Sequence, residues 1–133
     1  MKRLVVLGGG ESGVGTALLG KAKGYSVFVS DNGLIKEKYK DVLIHHDIGF
    51  EDHRHSEEHI LNADIIMKSP GIPNTIALIQ KIRAQGVPIV SEIEFASKYT
   101  DATLIGITGS NGKTSTATLT NHVLKQELSV GLA

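Results

Sequence analysis

The sequence of 133 residues contains no cysteine and no tryptophan, and only 5% of its residues are aromatic. Without cysteine the chain can form neither a disulfide nor a thiolate metal site, which fits a reducing compartment, and we expect it in the cytoplasm. Neither sign of charge is in excess, because 14 Lys and Arg balance 14 Asp and Glu. No global field therefore draws the chain to nucleic acid or to an anionic membrane, and anions would be bound by local groups.

Long apolar runs are also missing. After Met1-Lys2-Arg3 the run Leu4–Leu7 is far too short for a signal peptide. No other segment approaches the ~18 apolar residues of a membrane span. With 41% hydrophobic residues, the chain is nevertheless long enough to bury the core of a domain of roughly 100 to 150 residues.

Glycine, by contrast, is abundant and falls in two phosphate-loop patterns. GGGESG runs from Gly8 to Gly13, and TGSNGKTS runs from Thr108 to Ser115. Each follows an apolar, strand-like run and precedes a helix-like one, which is the arrangement that turns backbone N–H groups and a helix N-terminus toward a phosphate. Two such loops indicate two different phosphorylated ligands.

Strand-like and helix-like segments alternate along the chain, which predicts an α/β fold. Continuous apolar strands separated by helices favour a Rossmann-like parallel sheet with helices on both faces. We place a domain boundary near residue 100, so that residues 1–100 form one domain and residues 101–133 begin another with a beta-alpha-beta unit. The predicted strands are Leu4–Leu7, Ser26–Ser30, a short Val42–Ile44, Ala63–Met67, Val87–Val90, Thr103–Thr108 and a nascent Ser129–Ala133; the predicted helices are Gly13–Lys23, Asn74–Gln85, Glu92–Tyr99 and Ser115–Gln126.

The first loop matches GxGxxG at Gly8, Gly10 and Gly13. In that pattern the first glycine allows the tight turn, the second lets the backbone approach a pyrophosphate, and the third lets the helix pack on the strand. Asp31 follows the next strand, where an acid can accept a hydrogen bond from a ribose or a base. A glycine-rich turn without a ligand, and a turn-capping role for Asp31, remain alternatives.

The second loop ends in Gly112-Lys113-Thr114, the end of a Walker A motif, although Ile107 occupies the place of its first glycine. In such loops the amides cradle phosphates, the lysine reaches the terminal phosphates and the hydroxyl binds magnesium.

Two other segments each have two possible interpretations. Ser69-Pro70-Gly71 follows a strand and either lines the first loop's ligand or is a plain turn. The last segment contains His53, His55 and His59. A solvated, charged face explains these histidines better than a metal site does, although His55 and His59 could share a helix face.

The segment ITGSNGKTS resembles the ATP loop of the Mur ligases and their folylpolyglutamate synthase relatives. The opening GGGESG, together with SPGIP at Ser69–Pro73 and SEIEF at Ser91–Phe95, resembles the members that add D-glutamate to UDP-N-acetylmuramoyl-L-alanine. The resemblance implies an ATP-dependent amide-bond ligase of peptidoglycan precursor synthesis, with ATP and Mg²⁺ as cofactors and an acyl-phosphate intermediate. An L-alanine-adding Mur ligase is the alternative within the family. Outside it stand an NAD(P)-binding dehydrogenase or regulatory module and a stand-alone phosphate-loop ATPase.

The same resemblance implies the roles of individual residues. Lys113 and Thr114 would be catalytic, and Thr114 would hold Mg²⁺ with further ligands from outside the chain. Family members often have Thr-Arg after the acid, whereas this chain has Asn32-Gly33, which leaves the uracil contacts open. The implied UDP-binding residues are Gly10, Glu11, Ser12, Gly13, Asp31, Asn32, Ser69, Pro70 and Gly71, and the implied ATP-binding residues are Gly109, Ser110, Asn111, Gly112, Lys113, Thr114 and Ser115.

Little sequence follows the second loop. One helix and one nascent strand cannot close the sheet of a phosphate-loop domain or supply a second magnesium ligand. We therefore expect the chain to be an N-terminal fragment of a longer, monomeric ligase, with a whole UDP-binding domain and a truncated ATP-binding domain. On that expectation the fragment alone does not catalyse D-glutamate-dependent phosphate release, and it can dimerise through its truncated end.

Overall fold

The computed structural model describes residues 1–132. Two compact units divide the chain, Met1–Thr100 and Asp101–Ala133. Among the described residues, none of the helices has the length and apolar content that crossing a bilayer requires. The elements in chain order are β1 (Arg3–Leu7), α1 (Glu11–Ala22), β2 (Ser26–Ser30), α2 (Glu37–His45), β3 (Gly49–Glu51), α3 (Glu57–Ile60), β4 (Ile65–Lys68), α4 (Ala77–Ala84), β5 (Ile89–Val90), α5 (Glu92–Ser97) and α6 (Lys113–Leu124).

The first unit is built on a five-stranded sheet in the order β3-β2-β1-β4-β5, and every pairing in it is parallel. The central strand β1 is buried on both faces because its side chains alternate between two cores. Leu4 and Val6 pack with Val14, Leu43 and Phe95 from α1, α2 and α5. Two further β1 side chains belong to the second core, with buried residues of α3 and α4: Val5, Leu7, Ile60, Ile79 and Ile82. The predicted α/β fold with helices on both faces is thereby confirmed.

The short strand predicted at Val42–Ile44 is wrong, because these residues lie in α2. Three consecutive apolar residues fit a buried strand or one turn of a helix equally well. Here only Leu43 is fully buried, while Ile44 remains 64% exposed. One buried position in this run, with Tyr39 partly buried one turn earlier, is the pattern of an amphipathic helix.

The second unit contains α6, but no strand among residues 101–132. The strand predicted at Thr103–Thr108 is therefore wrong, and so is the one at Ser129–Ala133 as far as residue 132; Ala133 lies outside the described residues. A strand exists only when a partner satisfies its backbone groups. Leu104 and Ile105 are 62% and 61% exposed, so the beta-alpha-beta unit expected here is reduced to a loop and a helix.

Candidate functional site

The sheet has a topological switch point between β1 and β4. From β1 the chain moves through β2 to β3 on one side, and β4 and β5 lie on the other. Open parallel sheets bind ligands in the crevice outside the carboxyl ends of their strands at such a point. Three groups of predicted site residues follow the carboxyl ends of β1, β2 and β4: Gly10 to Gly13, Asp31 with Asn32, and Ser69 to Gly71.

The three glycines of the GxGxxG pattern in the first loop have different surroundings. Gly8 has φ +113°, and a Cβ there would collide with the Ser69 side chain. A Cβ at Gly13 would collide with the backbone carbonyl of Gly8, so the start of α1 lies directly against the end of β1. Gly10, the N-cap of α1, has nothing within 4 Å of the Cβ position. The loop is therefore closed at its two ends and open at Gly10, where a ligand can approach the backbone.

Asp31 ties the first loop to the loop after β2. Its Oδ2 accepts a hydrogen bond from the Gly9 amide at 2.6 Å, and its Oδ1 accepts one from the Gly33 amide at 2.7 Å. Both oxygens thus have a backbone donor, and each carboxylate oxygen can accept a further hydrogen bond. Asn32 lies exposed in the same loop.

Ser69 begins the turn after β4. Its amide donates to the Leu7 carbonyl at 3.0 Å, which fixes the turn beside the first loop. The Lys68 ammonium donates to the Ile72 carbonyl at 2.7 Å and to the Ser69 carbonyl at 3.2 Å, so it closes the turn from the inside. Pro70 and Gly71 are exposed at the tip of this turn.

A residue without a role in the sequence prediction lies between the two serines. Glu92, the first residue of α5, accepts hydrogen bonds on Oε1 from Ser12 Oγ at 3.0 Å and from Ser69 Oγ at 3.4 Å. It belongs to the SEIEF segment, but 80 residues separate it from Ser12. Only the packing of α5 beside α1 brings the carboxylate to the loop.

The acidic and histidine-rich segment forms a polar cluster behind Asp31. Ser30 Oγ donates to Glu51 Oε1 at 2.8 Å and lies 2.7 Å from His55 Nδ1. A hydroxyl has one proton to donate, so His55 Nδ1–H donates to Ser30. The Arg54 amide donates to the Asp31 carbonyl at 3.2 Å, which joins the cluster to the site.

Burial and hydrogen bonding set the protonation of this cluster. Burial disfavours the charged form of Glu51, but hydrogen bonds from Ser56 and Ser30 and the nearby Arg54 guanidinium outweigh it and lower the pKa of this carboxyl. Burial also lowers the pKa of His55, against the opposing charges of Asp31 and Glu51. The cluster is thus most stable with Glu51 ionised and His55 neutral.

The prediction of a solvated histidine face fails for His55, which is half-buried. His55 and His59 also share no helix face, because α3 begins at Glu57. His59 instead packs its ring against Phe28, with 4.9 Å between the ring centroids. Among residues 1–132 no group of three or more His, Cys, Asp or Glu side chains is arranged to hold a metal ion.

A cleft of about 360 Å³ opens beside the ends of β4 and β5. Its lining is partly cationic, from Lys68 and Arg83, and partly apolar, from Val87 and Ile89. Of the predicted nucleotide-binding residues only Pro70 lines it. The predicted site is therefore the open surface around Gly10, and the cleft is its neighbour.

In the second unit the predicted ATP-binding residues surround the start of α6. Gly112, its N-cap, has φ +72°, a left-handed conformation that glycine adopts without strain, and Gly109 has φ +156°. The Lys113 ammonium donates to the Gly109 carbonyl at 2.6 Å and so folds back across the loop. Thr114 and Ser115 lie exposed in the first turn of α6, while Ser110 and Asn111 lie exposed in the loop before Gly112.

Comparisons with known proteins agree on one family. The sequence-family model of the MurD N-terminal domain matches residues 3–76. The chain is 60% identical over 134 aligned positions to the UDP-N-acetylmuramoylalanine--D-glutamate ligases of Bacteroides thetaiotaomicron and Bacteroides fragilis, with 100% of the chain covered. It spans about 30% of the length of these curated relatives.

Two solved structures have a similar fold. A pseudomurein peptide ligase type C from Methanothermus fervidus is 29% identical, with a TM-score of 0.63 over 98% of this chain and 29% of that one. The UDP-N-acetylmuramate-alanine ligase MurC from Thermotoga maritima is 24% identical, with a TM-score of 0.64 over 94% of this chain and 29% of that one. The second likeness supports the fold alone.

Proposed function

The chain belongs to the MurD N-terminal domain family, and we propose that its first unit binds the UDP end of UDP-N-acetylmuramoyl-L-alanine, a peptidoglycan precursor. One observation carries the proposal. Of the four glycines in the loop of Gly8 to Gly13, only Gly10, directly at the N-terminus of α1, has open space where a Cβ would stand. The unpaired N–H groups and the positive end of the helix dipole favour an anion there.

Different residues around this opening contact different parts of the ligand. In our proposal the diphosphate accepts hydrogen bonds from the amides of the first turn of α1 and from the Ser12 hydroxyl, with Gly10 to Gly13 forming the cradle. Asp31 and Asn32 face the uridine. The Gly9 and Gly33 amides hold the Asp31 carboxylate in place for this contact. The turn of Ser69, Pro70 and Gly71 forms the opposite edge, braced by Lys68.

For a protein of the length of its relatives we propose an ATP-dependent ligase that adds D-glutamate to this precursor in the cytoplasm. This chain spans about 30% of that length. A carboxylate is a poor electrophile, so phosphorylation by ATP would convert the alanyl carboxylate into an acyl phosphate, which the amine of D-glutamate attacks to form the amide.

The loop of Gly109 to Ser115 would hold the ATP phosphates in that reaction. Its two glycines with positive φ turn the backbone into a cradle before α6, and the Lys113 ammonium lies across it. Lys113 would exchange its bond to the Gly109 carbonyl for the terminal phosphates and stabilise charge on the transferred group. Thr114, exposed in the first turn, fits as one oxygen ligand for Mg²⁺, whose chemistry is to neutralise phosphate charge.

The first unit's function can be tested by calorimetric titration of the chain with UDP, UMP and NADH. We expect UDP to bind more tightly than UMP, because the second phosphate reaches Ser12 and the start of α1. The Ser12→Ala variant should weaken UDP binding by at least about 10-fold, because a hydrogen bond to a charged group contributes about 1.5 to 3 kcal/mol. NADH binding more tightly than UDP would instead indicate a dinucleotide-binding module.

A further inference from the structure

Two of the hydroxyls at the proposed nucleotide site already point at an anion. Ser12 lies in the first turn of α1 and Ser69 begins the turn after β4, and both donate to one oxygen of Glu92. A carboxylate is the side chain that resembles a phosphate most closely in charge and in its acceptor oxygens. Glu92 thus occupies, from within the chain, donors that a diphosphate would need.

The side chain of Glu92 can leave without disturbing the helix that carries it. The N-terminus of α5 is capped by its neighbours, since Ser91 Oγ accepts from the Glu94 amide at 3.2 Å and Glu94 Oε2 accepts from the Ser91 amide at 3.3 Å. Phe95, fully buried, anchors the helix against the rings of Tyr25 and Tyr99. Glu92 is only half-buried, so its carboxylate can turn toward water while the backbone stays fixed.

We propose that Glu92 is an internal competitor that lowers the affinity of this site for nucleoside diphosphates and is displaced when one binds. The proposal rests on the UDP site described above. Two anions cannot share the Ser12 and Ser69 hydroxyl protons, and a carboxylate near a diphosphate repels it. Each binding event therefore includes the cost of moving Glu92 into solvent, and the site binds its ligand less tightly than its donors allow.

Glu92→Gln and Glu92→Ala test this, with UDP as the probe in calorimetric titrations. We expect both variants to bind UDP about 3- to 10-fold more tightly than the unchanged chain, a range set by a half-exposed, partly screened charge. Their advantage should shrink when the salt concentration is raised from about 0.01 M to about 1 M, because salt screens the repulsion. If Glu92 merely positions the two hydroxyls, the alanine variant binds UDP more weakly, and that result would overturn the proposal.

Glu94→Gln is the matched control. It removes the same charge from the same helix, and glutamine still serves at the third position of a capping box. It should bind UDP as the unchanged chain does; an equal gain in Glu94→Gln would mean a general charge effect and refute a specific role for Glu92. Ser12→Ala separates the two proposals. If it weakens UDP binding while Glu92→Gln has no effect, only the competitor role fails. If UDP does not bind at all, both proposals fail. If UDP binds but the binding is insensitive to Ser12, the ligand does not use this hydroxyl, and the competitor role fails while UDP binding stands.

Discussion

The Asp31 carboxylate holds the Gly9 amide at 2.6 Å, across 22 residues of sequence. Together with the Gly33 amide on its other oxygen, this contact sets the distance between the phosphate loop and the loop after β2. Asp31 is therefore first an organiser of the site, and any contact with a uridine would use its remaining acceptor capacity.

Replacing Asp31 by alanine should weaken both the fold and the site. The partly buried Gly9 N–H would lose its acceptor, which costs about 1 to 3 kcal/mol of unfolding free energy, while the exposed Gly33 N–H can bond to water instead. We expect UDP affinity to fall about 10-fold or more because the first loop loses its tether. Denaturant unfolding and calorimetry measure the two effects. Asp41→Ala, on the exposed side of α2, is the control and should change neither; an unchanged Asp31→Ala variant would contradict this account.

Three glycine-to-alanine changes should separate packing from ligand access. Gly13→Ala would drive a Cβ into the Gly8 carbonyl and should cost about 1 to 3 kcal/mol of unfolding free energy, as overpacking does. The Cβ added by Gly10→Ala meets no atom of the protein, so this change should lower the unfolding free energy by less than about 1 kcal/mol. It should nevertheless weaken UDP binding. Gly15→Ala, inside α1 and equally open, should raise stability by about 0.5 to 1 kcal/mol.

In thermal unfolding the three variants should differ in melting temperature. Gly15→Ala should melt at a higher temperature than the unchanged chain, Gly10→Ala at nearly the same temperature, and Gly13→Ala at a lower one. In UDP titrations Gly15→Ala should behave as the unchanged chain. A Gly10→Ala variant that binds UDP normally would show that the ligand does not approach the loop at its open position.

His53 has φ +59°, a conformation that costs a side chain with a Cβ roughly 1 kcal/mol or more. Its backbone amide donates to the Gly33 carbonyl at 3.0 Å, which holds the residue there. His53→Gly relieves the strain and should raise the unfolding free energy by up to about 1 kcal/mol. His46→Gly is the matched control, because His46 has φ −96° and gains nothing from glycine. We expect His46→Gly to lower stability; a loss in both variants would show that His53 is not strained.

The sequence predicts much of the first unit because its signals are local. Continuous apolar runs specify β1 and β2, and the GxGxxG spacing specifies the turn between β1 and α1. Long-range relationships leave no such signal. Glu92 meets Ser12 only after α5 packs against α1, and the half-buried state of His55 depends on Ser30, 25 residues away. The strand expected at Thr103–Thr108 fails for a related reason: an apolar run supplies the side chains of a strand, but its backbone needs a partner strand.

The cluster of Ser30, Glu51 and His55 should make the stability of the first unit depend on pH in two windows. The pKa of His55 is lowered by folding, so the unfolded chain binds its proton first as the pH falls below the ordinary value of 6.5. Stability contributed by neutral His55 is therefore complete above that pH and is lost below it. Glu51 acts in the same direction at lower pH. Because folding lowers its pKa below the ordinary value of 4.5, the stability that its charged form contributes is complete above pH 4.5 and is lost as the pH falls further.

His55→Asn should isolate the upper window. The asparagine amide can still donate to Ser30 Oγ, but it cannot take up a proton, so the fall in unfolding free energy just below pH 6.5 should flatten while the more acidic loss due to Glu51 remains. Denaturant unfolding at a series of pH values measures both. His46→Asn, an exposed histidine at the end of α2, should keep the dependence of the unchanged chain. If His55→Asn keeps it too, the stability loss in that window arises from other groups, and neutral His55 is not what the folded state requires.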